Sequence, residues 1–254
     1  MQISDANQIT TGNRSEHVRD VFEDAKHYLR SRGVDVMFRT ETVRCLAARL
    51  DWKRLLDIGC GDGSISLQLL TPESHMTLLD LSASMVALAK EKIPQTLTNN
   101  VIVHNENFMT VLLDSAPFDL VITVGVLAHV DSPDTFLAKI RQNLRPGGNL
   151  IIEFTDSRHL VGRVGRFMGL LKEIVAPPKY QTNKVCYTDL VPLFEKHHLE
   201  LVSKFRYSRI PLPGLDKIIS NGLHYWLTRL IFNHCGNNTN ASLGNEYICL
   251  LTAK

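Results

Sequence analysis

Residues 55–63 read Leu-Leu-Asp-Ile-Gly-Cys-Gly-Asp-Gly, a short apolar run that opens into three glycines. The pattern predicts a buried strand over Arg54–Ile58 and a helix over Ser64–Leu70, with the glycines between them. Glycine lets the backbone turn tightly there and lets a ligand approach without interference from a side chain. In parallel sheets ligands bind beyond the carboxyl ends of the strands, so this loop is expected to line a binding site.

The spacing of the glycines and the acid before them discriminate between two classes of nucleotide ligand. A dinucleotide loop follows G-x-G-x-x-G and places a pyrophosphate on a helix N-terminus, whereas Gly59, Gly61 and Gly63 follow G-x-G-x-G. Asp57 precedes the loop, and a carboxylate there would repel a pyrophosphate but would suit a ligand with a cationic end. S-adenosylmethionine (SAM) carries an ammonium and a sulfonium and no phosphate, so the charges favour SAM.

A second acid ends the next predicted strand, His75–Asp80. Asp80 follows the first glycine by about 20 residues, a distance at which an acid can hydrogen-bond both ribose hydroxyls of an adenosine. The alternative is that Asp80 only caps or solvates the end of the strand. The glycine loop at the matching distance favours the ribose contact.

Strands and helices alternate beyond this point, which indicates a parallel sheet. We therefore predict an α/β fold with a doubly wound, mostly parallel, seven-stranded sheet. The remaining predicted elements are a helix from the N-cap Ser82 to Ile93, strands Asn100–His104, Phe118–Val124 and Asn149–Phe154, helices Pro133–Leu144 and Thr188–His198, and strands Leu199–Tyr207 and Glu246–Thr252.

The segments before, within and after this core do not follow the alternation of strands and helices. Apolar residues at helical spacing predict a helix over Val18–Leu29, ended by Gly33, and a second helix over Val36–Leu50. Residues 156–187 and 209–244 are far longer than usual connections and are interpreted as helical cap insertions over the sheet edge. The predicted division is 1–50 for the N-terminal helices or lid, 51–155 for the SAM-binding core, 188–208 for a core helix and strand, and 245–254 for the final strand.

Four segments of the chain resemble the class I SAM-dependent methyltransferases, in particular the small-molecule branch that includes the ubiquinone and menaquinone biosynthesis enzymes. The resemblance covers residues 20–155 and is specific for the cofactor and the fold, but poor for the substrate. It implies a Rossmann-like methyltransferase fold with SAM as the cofactor. The matching segments are Leu55–Gly63, Leu78–Met85, Phe118–Pro133 and Leu144–Glu153.

The resemblance also implies particular cofactor contacts. Asp80 would hold the ribose, and Asn107 stands where relatives have an acid that reads the adenine amino group; its amide oxygen could accept the same hydrogen bond. Arg39 matches an arginine that grips the SAM carboxylate in the ubiquinone O-methyltransferases, and its alternative is a solvated helix face. The other implied contacts are Asp57, Gly59, Cys60 and Gly61 along the methionine part, Leu81 and Met85 near adenine, and Phe108 and Gly125.

His129 is the candidate for direct chemistry. It follows the fourth predicted strand, at the carboxyl edge of the sheet, where a histidine could take the proton from a hydroxyl as the hydroxyl is methylated. The alternative is that it packs under the cofactor. Tyr28 stands where relatives place an aromatic lid, but it also belongs to the apolar face of the first helix, and core packing is favoured. The histidine and acid spacing shows no metal site.

Composition and charge limit the kinds of partner that the protein can have. A net charge of +2 argues against nucleic acid, although the stretch from Asp156 to Cys235 holds twelve Lys or Arg and six Asp or Glu. Five scattered cysteines and a polar N-terminus without a signal-peptide core predict a cytoplasmic protein. The apolar, basic cap suggests a lipophilic small-molecule substrate and leaves peripheral membrane contact open.

The predicted function is methyl transfer to a small, hydrophobic metabolite on oxygen. Nitrogen or carbon acceptors of a natural product, and modification of a protein or RNA, are alternatives within the enzyme class. A non-catalytic SAM-fold protein that binds a partner through its cap is an alternative from another class.

Overall fold

A computed structural model describes residues 33–159, 183–208, 219–232 and 241–254, together with Arg19. The predicted helix over Val18–Leu29, with Tyr28, lies outside the described residues. So do residues 160–182 of the first cap insertion and residues 209–218 and 233–240 of the second. The predicted division into core and caps therefore stays a prediction.

Seven strands form one sheet in the order β3-β2-β1-β4-β5-β7-β6. The pairs from β3 to β5 are parallel, and β7 runs antiparallel to both β5 and β6. This mostly parallel, doubly wound sheet confirms the predicted fold. The strands are β1 (Arg54–Ile58), β2 (His75–Leu79), β3 (Val101–His104), β4 (Phe118–Thr123), β5 (Leu144–Thr155), β6 (Leu199–Tyr207) and β7 (Glu246–Ala253).

Helices cover both faces of the sheet. Those described are α1 (Gly33–Ala47), α2 (Ala83–Lys92), α3 (Pro133–Asn143), α4 (Tyr187–Lys196) and α5 (Asn221–Ile231). Apolar residues of α1 pack on one face of the sheet, and those of α3 and α4 pack on the other. Because helices cover both faces, β1, β2 and β4 are buried along almost their whole length.

Serine hydroxyls begin three of these helices. The Ser82 hydroxyl accepts a hydrogen bond from the Met85 N–H at 3.2 Å, which confirms the predicted N-cap of α2. Ser132 and Ser220 cap α3 and α5 in the same way. These bonds satisfy backbone N–H groups that would otherwise lack a partner in the first turn.

The helix predicted over Ser64–Leu70 is wrong: the segment contains turns and one 3₁₀ turn, Leu67–Leu69. The Asp62 carboxylate accepts hydrogen bonds from both the N–H and the hydroxyl of Ser64, and such local bonds compete with an α-helix. Pro72 also disfavours helix at the residue before it. Too few residues remain to repay the cost of helix nucleation.

The order of the strands fixes the position of the site. β2 and β3 lie on one side of β1, and β4 lies on the other. The strand order therefore reverses direction at β1. The loops that follow β1, β2 and β4 therefore meet at one edge of the sheet, which is where ligands bind in open α/β sheets. The N–H groups of Gly59 and Cys60 both donate to the Leu79 carbonyl, which fastens the first loop to the end of β2.

Two observations bear on the predicted location. Within the described residues no helix has both the length and the apolar character needed to cross a membrane. Cys45 is disulfide-bonded, whereas Cys60, Cys186 and Cys249 are free thiols. Disulfides are uncommon in the reducing cytoplasm, so the bond at Cys45 does not support the cytoplasmic location, which stays a prediction.

Candidate functional site

A pocket opens at the carboxyl ends of β1, β2 and β4 and brings together most of the residues singled out from the sequence. Three of them, Arg39, Asp57 and Cys60, lie outside its lining. The predicted residues that line it are Gly59, Gly61, Asp80, Leu81, Met85, Asn107, Phe108, Gly125 and His129.

The glycine loop has the backbone conformation that its sequence predicts. Gly59 has a φ of +73°, and a Cβ at this position would collide with the side chain of Val126. The loop after β1 therefore comes close to the loop after β4 only because Gly59 has no side chain. Both Gly59 and Val126 line the pocket.

Asp80 holds the loops after β1 and β2 together. Its Oδ2 accepts a hydrogen bond from the Gly61 N–H at 2.8 Å, and its Oδ1 accepts one from the Ser82 N–H at 2.9 Å. Burial raises the pKa of Asp80, while these backbone hydrogen bonds lower it. Each carboxylate oxygen keeps further lone-pair capacity beside the pocket. Asp80 therefore caps the end of β2 through these two backbone hydrogen bonds, and its carboxylate can still accept hydrogen bonds from ribose hydroxyls.

Apolar side chains form one wall of the pocket. Leu81, Met85 and Phe108 lie in this wall, and Phe108 packs edge-on against Phe136 with ring centroids 5.6 Å apart. Met109 and Phe136 also line it, although the sequence did not single them out. A flat aromatic ligand would find apolar contact on this side.

The Asn107 amide oxygen accepts a hydrogen bond from the Met109 N–H at 2.9 Å. A bond to an adenine amino group would have to use the second lone pair of that oxygen. The neighbouring Asn105, which the sequence did not single out, donates to the carbonyls of Asp80 and Leu81 at 3.0 Å each. It thereby joins the loop after β3 to the loop after β2.

Asp57 lies at the end of β1, is almost completely buried and does not line the pocket. Burial raises the pKa of Asp57 from its ordinary value of 3.8 to about 7, and the negative charge of Asp80 adds to the shift. Near neutral pH this carboxyl is therefore poised between its neutral and charged forms. A cation bound nearby would favour the charged form.

Cys60 is also buried, and its Sγ contacts the Gly61 carbonyl at 3.4 Å. Burial, with the nearby charges of Asp57 and Asp80, raises the pKa of the Cys60 thiol well above its ordinary value. The thiol is therefore neutral at physiological pH, and Cys60 is not a nucleophile in this state.

Arg39 projects from α1 towards the ends of β4 and β5. Its Nη2 donates to Glu153 Oε1 at 2.7 Å, and both side chains are largely buried. The solvated helix face that was the alternative for Arg39 is therefore wrong, because a charged partner from β5 draws the side chain into the fold. A Cβ placed on Gly125 would lie 3.7 Å from Arg39 Nη1, so the guanidinium sits directly behind the pocket wall.

His129 lines the pocket in the loop that follows β4. The His129 N–H donates to the Val126 carbonyl at 2.8 Å, which tightens this loop into a turn. Asn183 holds the loop from the other side: its N–H donates to the Ala128 carbonyl at 2.8 Å, and its side-chain amide donates to the Val130 carbonyl. The imidazole is thus presented by a braced backbone, a requirement for any positioned acid or base.

Across the residues that the structure describes, no three side chains of His, Cys, Asp or Glu come together as a possible metal site. The predicted absence of a metal stays a prediction. The sequence missed Glu153 and Glu246, which lie beside Arg39. Glu153 carried a signal, since it is a lone acid within the apolar run of β5.

Known proteins resemble the chain in both sequence and fold. A "Methyltransferase domain" family model matches residues 51–191. The chain is 31% identical over 98 residues to a ubiquinone biosynthesis O-methyltransferase of Maricaulis maris, covering 39% of each protein. It is 28% identical over 162 residues to a demethylmenaquinone methyltransferase of Listeria welshimeri, covering 60% of this chain and 68% of that protein.

Several curated relatives are matched over less than half of their own length. Among solved structures, a magnesium protoporphyrin IX methyltransferase of Synechocystis PCC 6803 with bound S-adenosylhomocysteine (SAH) has a TM-score of 0.65 at 16% identity, covering 95% of this chain and 100% of that one. This likeness concerns the fold. Because the family model spans more than half of the sequence, the chain belongs to the methyltransferase domain family.

Proposed function

We propose that this protein binds SAM in the pocket and transfers its methyl group to a small, hydrophobic metabolite. The observation that carries the cofactor part is the position of Asp80, whose carboxylate is fixed by the Gly61 and Ser82 N–H groups at the pocket wall. A carboxylate anchored in this way can bind both hydroxyls of a ribose without reorganising. Membership in the methyltransferase domain family supports the same assignment.

The other parts of SAM find complementary groups in this pocket. Adenine would lie against Leu81, Met85 and Phe108, and the methionine part would follow the backbone of Gly59–Gly61 towards Gly125. Asp57, buried beneath the loop, would supply negative charge to the ammonium and sulfonium end. Arg39, behind Gly125, would receive the carboxylate.

Methyl transfer from SAM is a displacement at a carbon that the sulfonium already activates. The protein must mainly hold the acceptor in line with the methyl group and exclude water. A base contributes only when the acceptor atom carries a proton. His129, at the pocket edge, would then take that proton, and such a base is worth about 100-fold or more in rate.

We infer that the methyl acceptor is an oxygen atom of a lipophilic compound. Curated relatives named as ubiquinone and menaquinone methyltransferases support this class. Leu223, Trp226 and Leu230 form an exposed apolar stripe on α5 at helical spacing, which supports a lipophilic substrate or contact with a membrane surface. Nitrogen and carbon acceptors remain alternatives.

Calorimetric titration with SAM and SAH tests the cofactor site. We expect micromolar binding to the wild-type protein and at least a tenfold loss in Asp80→Ala, because two hydrogen bonds to ribose disappear. Asp51→Ala removes an exposed carboxylate from the same domain and serves as the matched control. Binding would justify a screen of lipophilic phenols and amines with methyl-labelled SAM.

A non-catalytic protein of the same fold is the second candidate. It would bind SAM or SAH without transferring the methyl group to any compound in the screen. Failure of the folded wild-type protein to bind either ligand would overturn the proposed function itself.

A further inference from the structure

Four polar side chains meet on the α1 face of the sheet, directly behind Gly125. They are Arg39 from α1, Glu153 from β5, Tyr207 from β6 and Glu246 from β7, and we call them the Arg39 cluster. Their surroundings are apolar: Phe38 stacks on Tyr207 with ring centroids 4.9 Å apart, and Glu153 is 1% exposed. Burying charged groups in such a place is costly unless they pair.

The pairing within the cluster is incomplete. Arg39 Nη2 binds Glu153 Oε1 at 2.7 Å, and the Thr155 hydroxyl donates to Glu246 Oε2 at 2.8 Å. The carboxyl group of Glu246 meets that of Glu153. Two buried polar atoms of the cluster, Arg39 Nε and the Tyr207 hydroxyl, have no hydrogen-bond partner among the described residues. The guanidinium therefore keeps donor capacity beyond its bond to Glu153.

The charges of the cluster balance only if it holds a proton. Two ionised carboxylates against one guanidinium would leave an excess negative charge in an apolar site. Burial and the neighbouring Glu153 raise the pKa of Glu246 to about 8. Burial also raises the pKa of Tyr207 well above its ordinary value, so Tyr207 stays a neutral phenol. Near pH 7 Glu246 therefore keeps its proton, which limits the negative charge beside Arg39.

The cluster adjoins the pocket through Gly125. A Cβ on Gly125 would lie 3.7 Å from Arg39 Nη1 and 3.9 Å from Glu153 Oε2. Gly125 itself lines the pocket together with Gly59 and Gly61. We propose that Glu153 and Glu246 are positioning residues for the carboxylate of the cofactor: Glu153 holds Arg39 against Gly125, and Glu246, which contacts Glu153, leaves the other edge of the guanidinium to the ligand.

This proposal rests on the proposed function, because it concerns the amino-acid end of SAM or SAH. Its consequence is that binding depends on the proton of Glu246. When Glu246 loses that proton, the second carboxylate attracts the guanidinium and repels the ligand carboxylate. Binding favours protonated Glu246, so its contribution to affinity is complete below the pKa of Glu246 and is lost as the pH rises through about 8.

The test is titration of SAH, and of methylthioadenosine as a ligand without an amino-acid end, between pH 6.5 and 9. For the wild-type protein we expect the Kd of SAH to rise about 3–10-fold between pH 7 and 9, as one added charge near the guanidinium predicts. Glu246→Gln replaces the carboxyl group with an amide that cannot ionise, so the Kd of SAH should rise less between pH 7 and 9 than it does for wild type.

Two further variants complete the design. Thr155→Val removes a hydrogen bond that lowers the pKa of Glu246, so it should move the alkaline loss of affinity to higher pH. Thr155 is exposed, so this variant keeps the test valid if Glu246→Gln does not fold. Glu200→Gln is the matched control, since Glu200 pairs with Lys254 at the opposite end of β7.

The ammonium of SAH titrates in the same way in every variant, so only differences between variants report on Glu246. Methylthioadenosine should bind wild type and Glu246→Gln with equal pH dependence. An SAH profile that neither Glu246→Gln nor Thr155→Val alters overturns this proposal and leaves the cofactor site standing. Absence of SAH binding at every pH overturns the proposed function as well.

Discussion

The Gly61 N–H donates to the Asp80 carboxylate at 2.8 Å, and this bond joins the loops after β1 and β2 across one end of the pocket. One side chain thus fixes the shape of the glycine loop and also faces the proposed ribose position. Loop geometry and ligand recognition are coupled here, so substitutions in the loop are expected to change both the free energy of unfolding and the binding of SAH.

Gly59→Ala should lower both stability and SAH affinity. Gly59 has a positive φ, and the added Cβ would collide with Val126, so the loop must distort. We expect a loss of about 1–3 kcal/mol in the free energy of unfolding, measured by urea denaturation.

Gly222→Ala is the matched control for this substitution. Gly222 lies in the first turn of α5, and a Cβ there would meet only the Ser220 hydroxyl at 3.9 Å. Its stability should stay equal to wild type or rise by up to about 1 kcal/mol. Equal stability of the two alanine variants would contradict the close approach of the β1 and β4 loops.

Asp57→Asn should stabilise the unliganded protein at alkaline pH. Burial holds the pKa of Asp57 at about 7 in the folded protein, above its ordinary value of 3.8. As the pH rises from 4 to 7 the unfolded chain loses this proton first, so wild-type stability falls over that window. The cost is on the order of 2–4 kcal/mol above pH 7, and the neutral amide does not incur it.

Thermal unfolding at pH 4 and pH 8 checks this prediction. Asp57→Asn should exceed wild type in Tm by about 3–10 °C at pH 8 and match it at pH 4. Asp51→Asn changes the same charge at an exposed neighbouring position and should leave Tm nearly unchanged. A constant difference between Asp57→Asn and wild type at both pH values would exclude titration of Asp57 as the cause.

Binding of SAH should release a proton from Asp57 below pH 7. The cationic end of the ligand favours the ionised carboxylate, so affinity should rise with pH by up to about tenfold per unit and level off near pH 7. Calorimetry at pH 6 in two buffers of different ionisation enthalpy counts the released protons. Asp57→Asn should bind weakly and lack this proton release; an unchanged count in the variant would assign the proton to another group.

His129→Gln separates the two roles considered for this histidine. If His129 accepts a proton from the acceptor, kcat should fall about 100-fold while the Kd of SAH stays within about threefold. If it only packs under the cofactor, the Kd should rise and kcat should change little. Single-turnover methyl transfer to a compound identified in the acceptor screen provides kcat, and calorimetry provides the Kd.

The sequence predicted correctly those parts of the fold that depend on residues close together in the chain. The strand-to-glycine transition at residues 55–63 placed β1 and its loop, and Ser82 marked the start of α2. The missing helix after Gly63 was misjudged because apolar spacing over seven residues does not reveal that Asp62 binds the backbone and hydroxyl of Ser64.

Site residues that directly follow a strand could be predicted from the sequence. Site residues whose position depends on a contact with a residue far along the chain could not. Asp80 and Gly125 could be placed from the strands that precede them. The partner of Arg39 could not, because Glu153 lies 114 residues further along the chain and meets it only after β5 enters the sheet. The two readings considered for Arg39 both omitted a buried ion pair.

The 3₁₀ turn at Leu67–Leu69 has a consequence for ligand discrimination in the cell. No α-helix begins between Gly59 and Leu70, all of which the structure describes, so the glycine loop does not present the positive pole of a helix macrodipole to a ligand. Abundant phosphate-bearing nucleotides therefore lose the electrostatic attraction that a Rossmann dehydrogenase offers them. A cationic nucleoside such as SAM would meet less competition at this loop without any side chain being dedicated to exclusion.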